Sequence, residues 1–229
     1  MSSFLRTAEM TLRDLIGRRW VLVLLVLVPL VFYAARRGDA GWQSIRLACM
    51  GLAWALSTVA LFSTLSARSL EPRLRIAGAA ISSLLAGRVL ALTAVAIVIG
   101  GAYALLVTLD QEVEHAWAIA AALLLSAVLS VPLGILIGRL IPREFEGMLL
   151  LITVVGLQTI VDPGSTLAQL LPLWATRELL SYGIEGHGDL NAAWTHAAAY
   201  GTAMLVVGFA ITWSRLRSRP HMVTGPAAP

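Results

Sequence analysis

The chain has 229 residues, 58% of them hydrophobic and 13% charged, with a net charge of +4. Soluble domains run nearer about 45–50% apolar and about 25% charged, so this composition excludes an ordinary water-soluble fold and points to lipid as the solvent. All 17 basic residues are Arg, against 13 acids. They sit at the ends of apolar runs, as topology signals and headgroup contacts do, which argues against nucleic acid as a partner.

Residues 4–17 come first. Phe4, Ala8, Leu12, Leu15 and Ile16 recur at spacings of three and four, while Arg6, Glu9, Arg13 and Asp14 fall largely elsewhere. That pattern predicts an amphipathic helix lying flat on the inner membrane surface. The apolar run that follows lacks a small-x-small cleavage pattern at Tyr33-Ala34-Ala35, so we expect an uncleaved span rather than a signal peptide.

A membrane core needs about 20 apolar helical residues. Six runs approach that length, predicting spans at about 18–35, 47–67, 89–109, 116–138, 147–161 and 192–213. The fifth is too short to cross unaided and ends at Asp162-Pro163-Gly164. The stretch after it, Ser165 to Ala175, is mostly apolar and interrupted by Pro172. The expected arrangement is a short helix followed by one or two short helices dipping into the outer leaflet. A longer tilted span ending near Thr166 is the alternative. Residues 1–217 thus read as a single membrane domain and residues 218–229, rich in Pro, Ala and Gly, as a disordered tail.

With the N-terminus cytoplasmic, the inside segments hold Arg6, Arg13, Arg18, Arg19, Arg68, Arg73, Arg75, Arg88, Arg139, Arg143, Arg215, Arg217 and Arg219. The outside segments hold only Arg36, Arg37, Arg46 and Arg177. This bias places both termini in the cytoplasm of a multi-pass protein of the cell membrane.

Several chemistries are excluded by what the sequence lacks. Without Lys there is no P-loop GK[ST] and no lysine-dependent dyad or Schiff base. The spans carry no Asp or Glu, which argues against ion-coupled transport. His115, His187, His196 and His221 lack paired metal-ligand spacing. Ser126 and Ser130 lack the Gly-x-Ser setting of an intramembrane serine protease. Cys49, alone in an apolar run, reads as a packing residue. We expect no catalytic residue, no metal and no bound cofactor.

The inside loop between spans two and three carries the functional signal. Glu71 and Pro72, a residue suited to a helix start, are followed by Arg73 and Arg75. Ile76 to Gly87, with Leu84 and Leu85, is apolar, rich in small residues and too short to span. It reads either as a short cytosolic helix seeking a partner's groove or as the extended base of span three. In span two Ser57, Thr58, Ser63, Thr64 and Ser66, and in span five Thr153, Gln158 and Thr159, offer polar groups to a pathway. Equally, they offer interhelical hydrogen bonds worth about 0.6 kcal/mol each.

From Phe4 to Arg219 this layout resembles the membrane subunits of the ABC type-2 exporter family. The amphipathic first helix is similar to the family's elbow helix. The Glu71 loop, running through Gly78 to Gly87-Arg88, is similar to its coupling-helix region. The Asp162-Pro163-Gly164 break with Leu171-Pro172-Leu173-Trp174 is similar to its outer re-entrant hairpin. The chain departs from the family's Glu-x-Gly-Thr pattern, because Pro72-Arg73-Leu74 follows Glu71. The resemblance implies an all-α permease that forms a pathway with a second, identical or related subunit. Two copies of a separate ATPase, which holds the ATP and Mg, would supply the power. It implies ATPase coupling through Glu71, Arg73, Arg75, Ile76, Leu84 and Leu85, and a pathway lined by Ser57, Thr58, Thr64, Thr153, Gln158 and Thr159. A non-transporting six-span anchor or assembly factor and a secondary transporter stay open beside it.

Overall fold

A computed structural model describes residues 3–38, 41–162 and 165–217 and places ten helices and no strand among them. The expected tail, 218–229, and Pro163-Gly164 of the break lie outside the described residues. The packing is organised around α6 (Ala116–Leu140), a helix apolar on every side. Such a helix is stable only when surrounded. Its most apolar window is 67% buried within the chain, against 22% for α10 (Leu190–Arg217).

Against α6 lie α3 (Gly41–Ala67) and α5 (Ile81–Asp110). These two, with α6 and α10, are long and apolar enough to cross a membrane. In lipid the hydrophobic effect does not drive helices together, so close backbone approach through small residues does that work. Gly134 and Gly138 of α6 form a Gly-x-x-x-Gly face onto Ser57, Ala60 and Thr64 of α3. The Ser126 hydroxyl adds a 2.9 Å bond to the Cys49 carbonyl.

α2 (Arg19–Ala34) is only 16 residues long. It buries Leu25, Pro29 and Tyr33, one residue per turn, and Gly51 of α3 sits directly against Pro29. At its far end Tyr33 and Arg37 both donate to Asp110, the last residue of α5, with Arg37 Nε 2.7 Å from Oδ2. α1 (Ser3–Gly17) meets α2 at 80° and, with it, makes a possible fifth crossing. It is amphipathic as expected: Ala8 and Leu15 are buried, while Glu9 and Arg13 pair at 2.6 Å on the exposed side.

α1 packs on the base of α5. A Cβ at Gly87 would lie 2.7 Å from the Phe4 carbonyl and 2.8 Å from Thr7 Cβ. Gly87→Val should therefore pry α1 off α5. The expected result is tryptic cleavage at Arg13 several-fold faster than in the parent; unchanged cleavage would mean α1 is held by other contacts.

Two expected boundaries move. The second apolar helix begins at Gly41 rather than 47, and the third at Ile81 rather than 89. Residues 81–87 are thus the extended base of α5 and not a separate cytosolic helix. What is separate is α4 (Glu71–Ile76), six residues long. It ends in a Schellman motif: Gly78 has φ 89°, Gly78 N–H bonds the Arg75 carbonyl, and Ala79 N–H bonds the Leu74 carbonyl. That turn aims the chain from α4 into α5.

α7 (Glu144–Ile160) stops short, as its sequence anticipates. α8 (Thr166–Gln169) and α9 (Trp174–Glu185) follow it. The Gln169 and Leu170 carbonyls contact His196 and Tyr200, well past the start of α10, and the Gly183 carbonyl meets His115 N–H before α6. The pair therefore lies alongside α10 and α6 rather than beyond their ends.

Candidate functional site

Glu71 opens α4 and points inward, 3% exposed. Arg88, two turns up α5, donates to Glu71 Oε1 at 2.8 Å, and Arg139, in the last turn of α6, donates to Oε2 at 2.6 Å and also to Oε1. Both guanidiniums are as buried as the carboxylate. Burial alone would raise the Glu71 pKa; hydrogen bonds and charge from Arg139, then Arg88, outweigh it and hold the group below the ordinary glutamate value.

Arg68, at the end of α3, completes the cluster. It donates to the Gly138 carbonyl, to the Arg139 carbonyl at 2.9 Å and to the Ile141 carbonyl at 3.5 Å. A cation there meets both the unpaired carbonyls and the negative end of the α6 dipole. The contact is possible because α3 and α6 run so close: a Cβ at Gly138 would sit 3.0 Å from Thr64 Cβ. One carboxylate thus fastens α4 to two long helices, and one arginine fastens the end of the third.

The expected coupling set divides. Arg73, Arg75 and Ile76 lie on the outer face of α4, with Ile76 89% exposed. Glu71, Leu84 and Leu85, of the same expected set, are buried within the chain. Leu84 and Leu85 turn inward because the base of α5 is covered by its neighbours; Glu71 does because two arginines need a counter-charge.

The expected pathway set divides as well. Ser57 and Thr64 are buried between α3 and α6, and each hydroxyl bonds a carbonyl one turn back on its own helix, Thr64 to Ala60 at 2.8 Å. Neither faces an opening in this chain. Thr58 lines an apolar crevice of about 400 Å³ between α1, α2, α3 and α7. Thr153 is exposed and bonds the Leu149 carbonyl at 2.9 Å. Gln158 lines a second cavity, at the opposite end from Glu71, and its buried amide nitrogen has no hydrogen-bond partner. The Thr159 side chain lies outside the described residues.

Arg88 and Arg139 are the residues that sequence reasoning left among the topology signals. One sign of their role was available: Glu71 is the only acid between residues 67 and 109, in a stretch holding four arginines. Among the described residues no three His, Cys, Asp or Glu side chains gather as metal ligands would. Both oxygens of the Glu71 carboxylate are taken up by guanidinium groups.

The chain is an all-α protein with several helices fit to cross a membrane. No family model matches it, and no curated protein matches it significantly.

Proposed function

We propose that this chain is the membrane subunit of an ATP-driven exporter of the ABC type-2 kind, paired with a second, identical or related subunit and powered by two copies of a separate ATPase. One observation carries the reading: α4 presents Arg73, Arg75 and Ile76 outward while Glu71 ties it to the feet of α5 and α6. A partner pressing on α4 displaces two long helices together, which is how rigid-body coupling crosses an interface.

Other features agree. α2 and α7 join the four long helices as the shorter spans of a six-span bundle. α1 serves as the elbow, and α8 with α9 as a re-entrant pair on the far side. The arginine bias puts α4 and both termini in the cytoplasm, where an ATPase would be. This chain contributes no P-loop, so ATP and Mg belong to the partner. In this arrangement Thr58, Thr153 and Gln158 remain as pathway candidates.

The test is native mass spectrometry of the complex extracted in mild detergent. Two ATPase copies with two membrane subunits are expected. A stable complex without a nucleotide-binding subunit would overturn the proposal in favour of an anchor or assembly factor. The variant Arg73→Glu/Arg75→Glu/Ile76→Glu should lose at least about tenfold in ATPase association, about 1.4 kcal/mol. Its unfolding temperature should stay at the parent value, because none of the three side chains is buried. Retained ATPase association would remove α4 as the docking element.

A further inference from the structure

The cavity at the far end from Glu71 measures about 420 Å³ and lies between α3, α6, α7 and α9. Three arginines line it, Arg36, Arg46 and Arg177, and among the described residues no carboxylate does. Arg46 and Arg177 are near enough for their like charges to repel.

Nearby acids act on Arg46 and Arg177 from the rim. Glu185 accepts from Arg46 Nη2 at 3.0 Å but is itself half exposed, so water screens the pair. Asp162 and Glu178 act on Arg177 from outside the lining. Arg177 gives its hydrogen bonds to main chain, donating to the Val161 carbonyl at 2.6 Å and the Gln158 carbonyl at 3.2 Å.

Two donors remain without acceptors. Arg46 Nε and Gln158 Nε2 are buried, unpartnered, and on residues that line this cavity. A buried donor without a partner loses its bond to water and gains none in return, so both call for an acceptor. Trp42 holds Arg46 in place, its ring 4.9 Å from the guanidinium carbon. Met50, Leu173 and Leu180 supply apolar lining, beside the polar Gln43, Ser126 and Thr176. The volume falls within the range of about 300–1,000 Å³ usual for small-molecule sites.

We propose that this cavity binds an anionic amphiphile, its phosphate or carboxylate head held by Arg46, Arg177 and the Gln158 amide and its aliphatic body against Met50, Leu173 and Leu180. The head supplies acceptors to the unpartnered donors and negative charge to the arginines. The site stands on its own geometry and does not rest on the exporter reading.

The experiment titrates dodecyl phosphate into the full chain in dodecyl maltoside and follows tryptophan fluorescence, to which Trp42 contributes. Saturable binding is expected for dodecyl phosphate. Inorganic phosphate, the head without the body, should bind at least about tenfold more weakly. Arg46→Gln should weaken dodecyl phosphate by a similar factor. Gln158→Met, which keeps side-chain volume and helix propensity, should weaken it several-fold with unchanged circular dichroism. Absence of saturable binding, equal binding by inorganic phosphate, or full affinity in both variants would each overturn the proposal. Phosphatidylglycerol in nanodiscs then separates the sources. If it competes with dodecyl phosphate where phosphatidylcholine does not, the native head belongs to a membrane lipid. If neither competes, it belongs to a water-soluble amphiphile.

Discussion

Glu71→Ala is expected to lower the unfolding temperature of the purified chain sharply, with a cost of about 3–5 kcal/mol. The loss comes less from the carboxylate itself than from what it leaves behind. Arg88 and Arg139 stay buried with no counter-charge, and Arg139 Nε has no hydrogen-bond partner even in the parent. Glu71→Gln keeps acceptors but not charge and should fall between. Replacing all three residues with Leu removes the stranded charges along with their attraction, and should recover most of the loss. A Glu71→Ala chain as stable as the parent would show that water reaches the cluster and that its burial is not real.

The pH dependence has a definite sign. A carboxyl whose folded pKa lies below its unfolded value of 4.5 contributes its full stabilisation above that pH. The contribution fades as pH falls through the folded value. The gap in stability between parent and Glu71→Gln should therefore be constant from pH 7 to near 5 and shrink below about 4.5, as thermal unfolding at stepped pH can show. On the proposed docking role of α4, coupling defects in Glu71 variants will come with lost stability, whereas those from the outer face of α4 will not.

Sequence and structure agree where lipid itself is the constraint. A bilayer demands long apolar runs, and four of the six expected spans fall on helices long and apolar enough to cross, a fifth on the bent pair of α1 and α2. The boundaries differ for a physical reason. A helix need not end where a charge appears, and α3 runs on through Arg46 to Gly41. The base of α5 is ambiguous in sequence because a small-residue stretch reads alike as a free amphipathic helix or as a surface for another helix; the unbroken helix from Ile81 and the seat of α1 on Gly87 separate the two.

The ion cluster was legible as charge but not as contact, because Glu71 is 17 residues from Arg88 and 68 from Arg139. Ser57 and Thr64 show a further limit. A hydroxyl in an apolar helix gives the same letter whether it faces a pathway or bonds the carbonyl one turn back, as both do here.

Gly134→Ala is expected to be among the most damaging single-methyl changes in the chain. Two effects oppose. Alanine in a helix is favoured over glycine by about 0.5–1 kcal/mol. Against that, the new Cβ would lie 2.1 Å from the Ser57 carbonyl oxygen and 2.8 Å from Ala60 Cβ. A carbon and a carbonyl oxygen rest at about 3.3–3.6 Å, so the backbones of α3 and α6 must part by more than 1 Å. Overpacking of this kind costs about 1–3 kcal/mol or more, and the obstacle is main chain, which cannot rotate aside as a side chain would. Steric cost therefore exceeds propensity gain. Gly101→Ala provides the contrast on α5: its Cβ would meet only Leu124 Cδ2, at 4.0 Å, so propensity should prevail and stability should hold or rise. Unfolding in a mixed-detergent titration should order the chains Gly101→Ala, parent, Gly134→Ala; the reverse order would refute the close packing of α3 on α6. The same separation pulls Arg68 from the carbonyls at the end of α6 and carries Arg139 away from Glu71. Gly134→Ala and Glu71→Ala act on one joint, and their combined cost should fall short of the sum of the two.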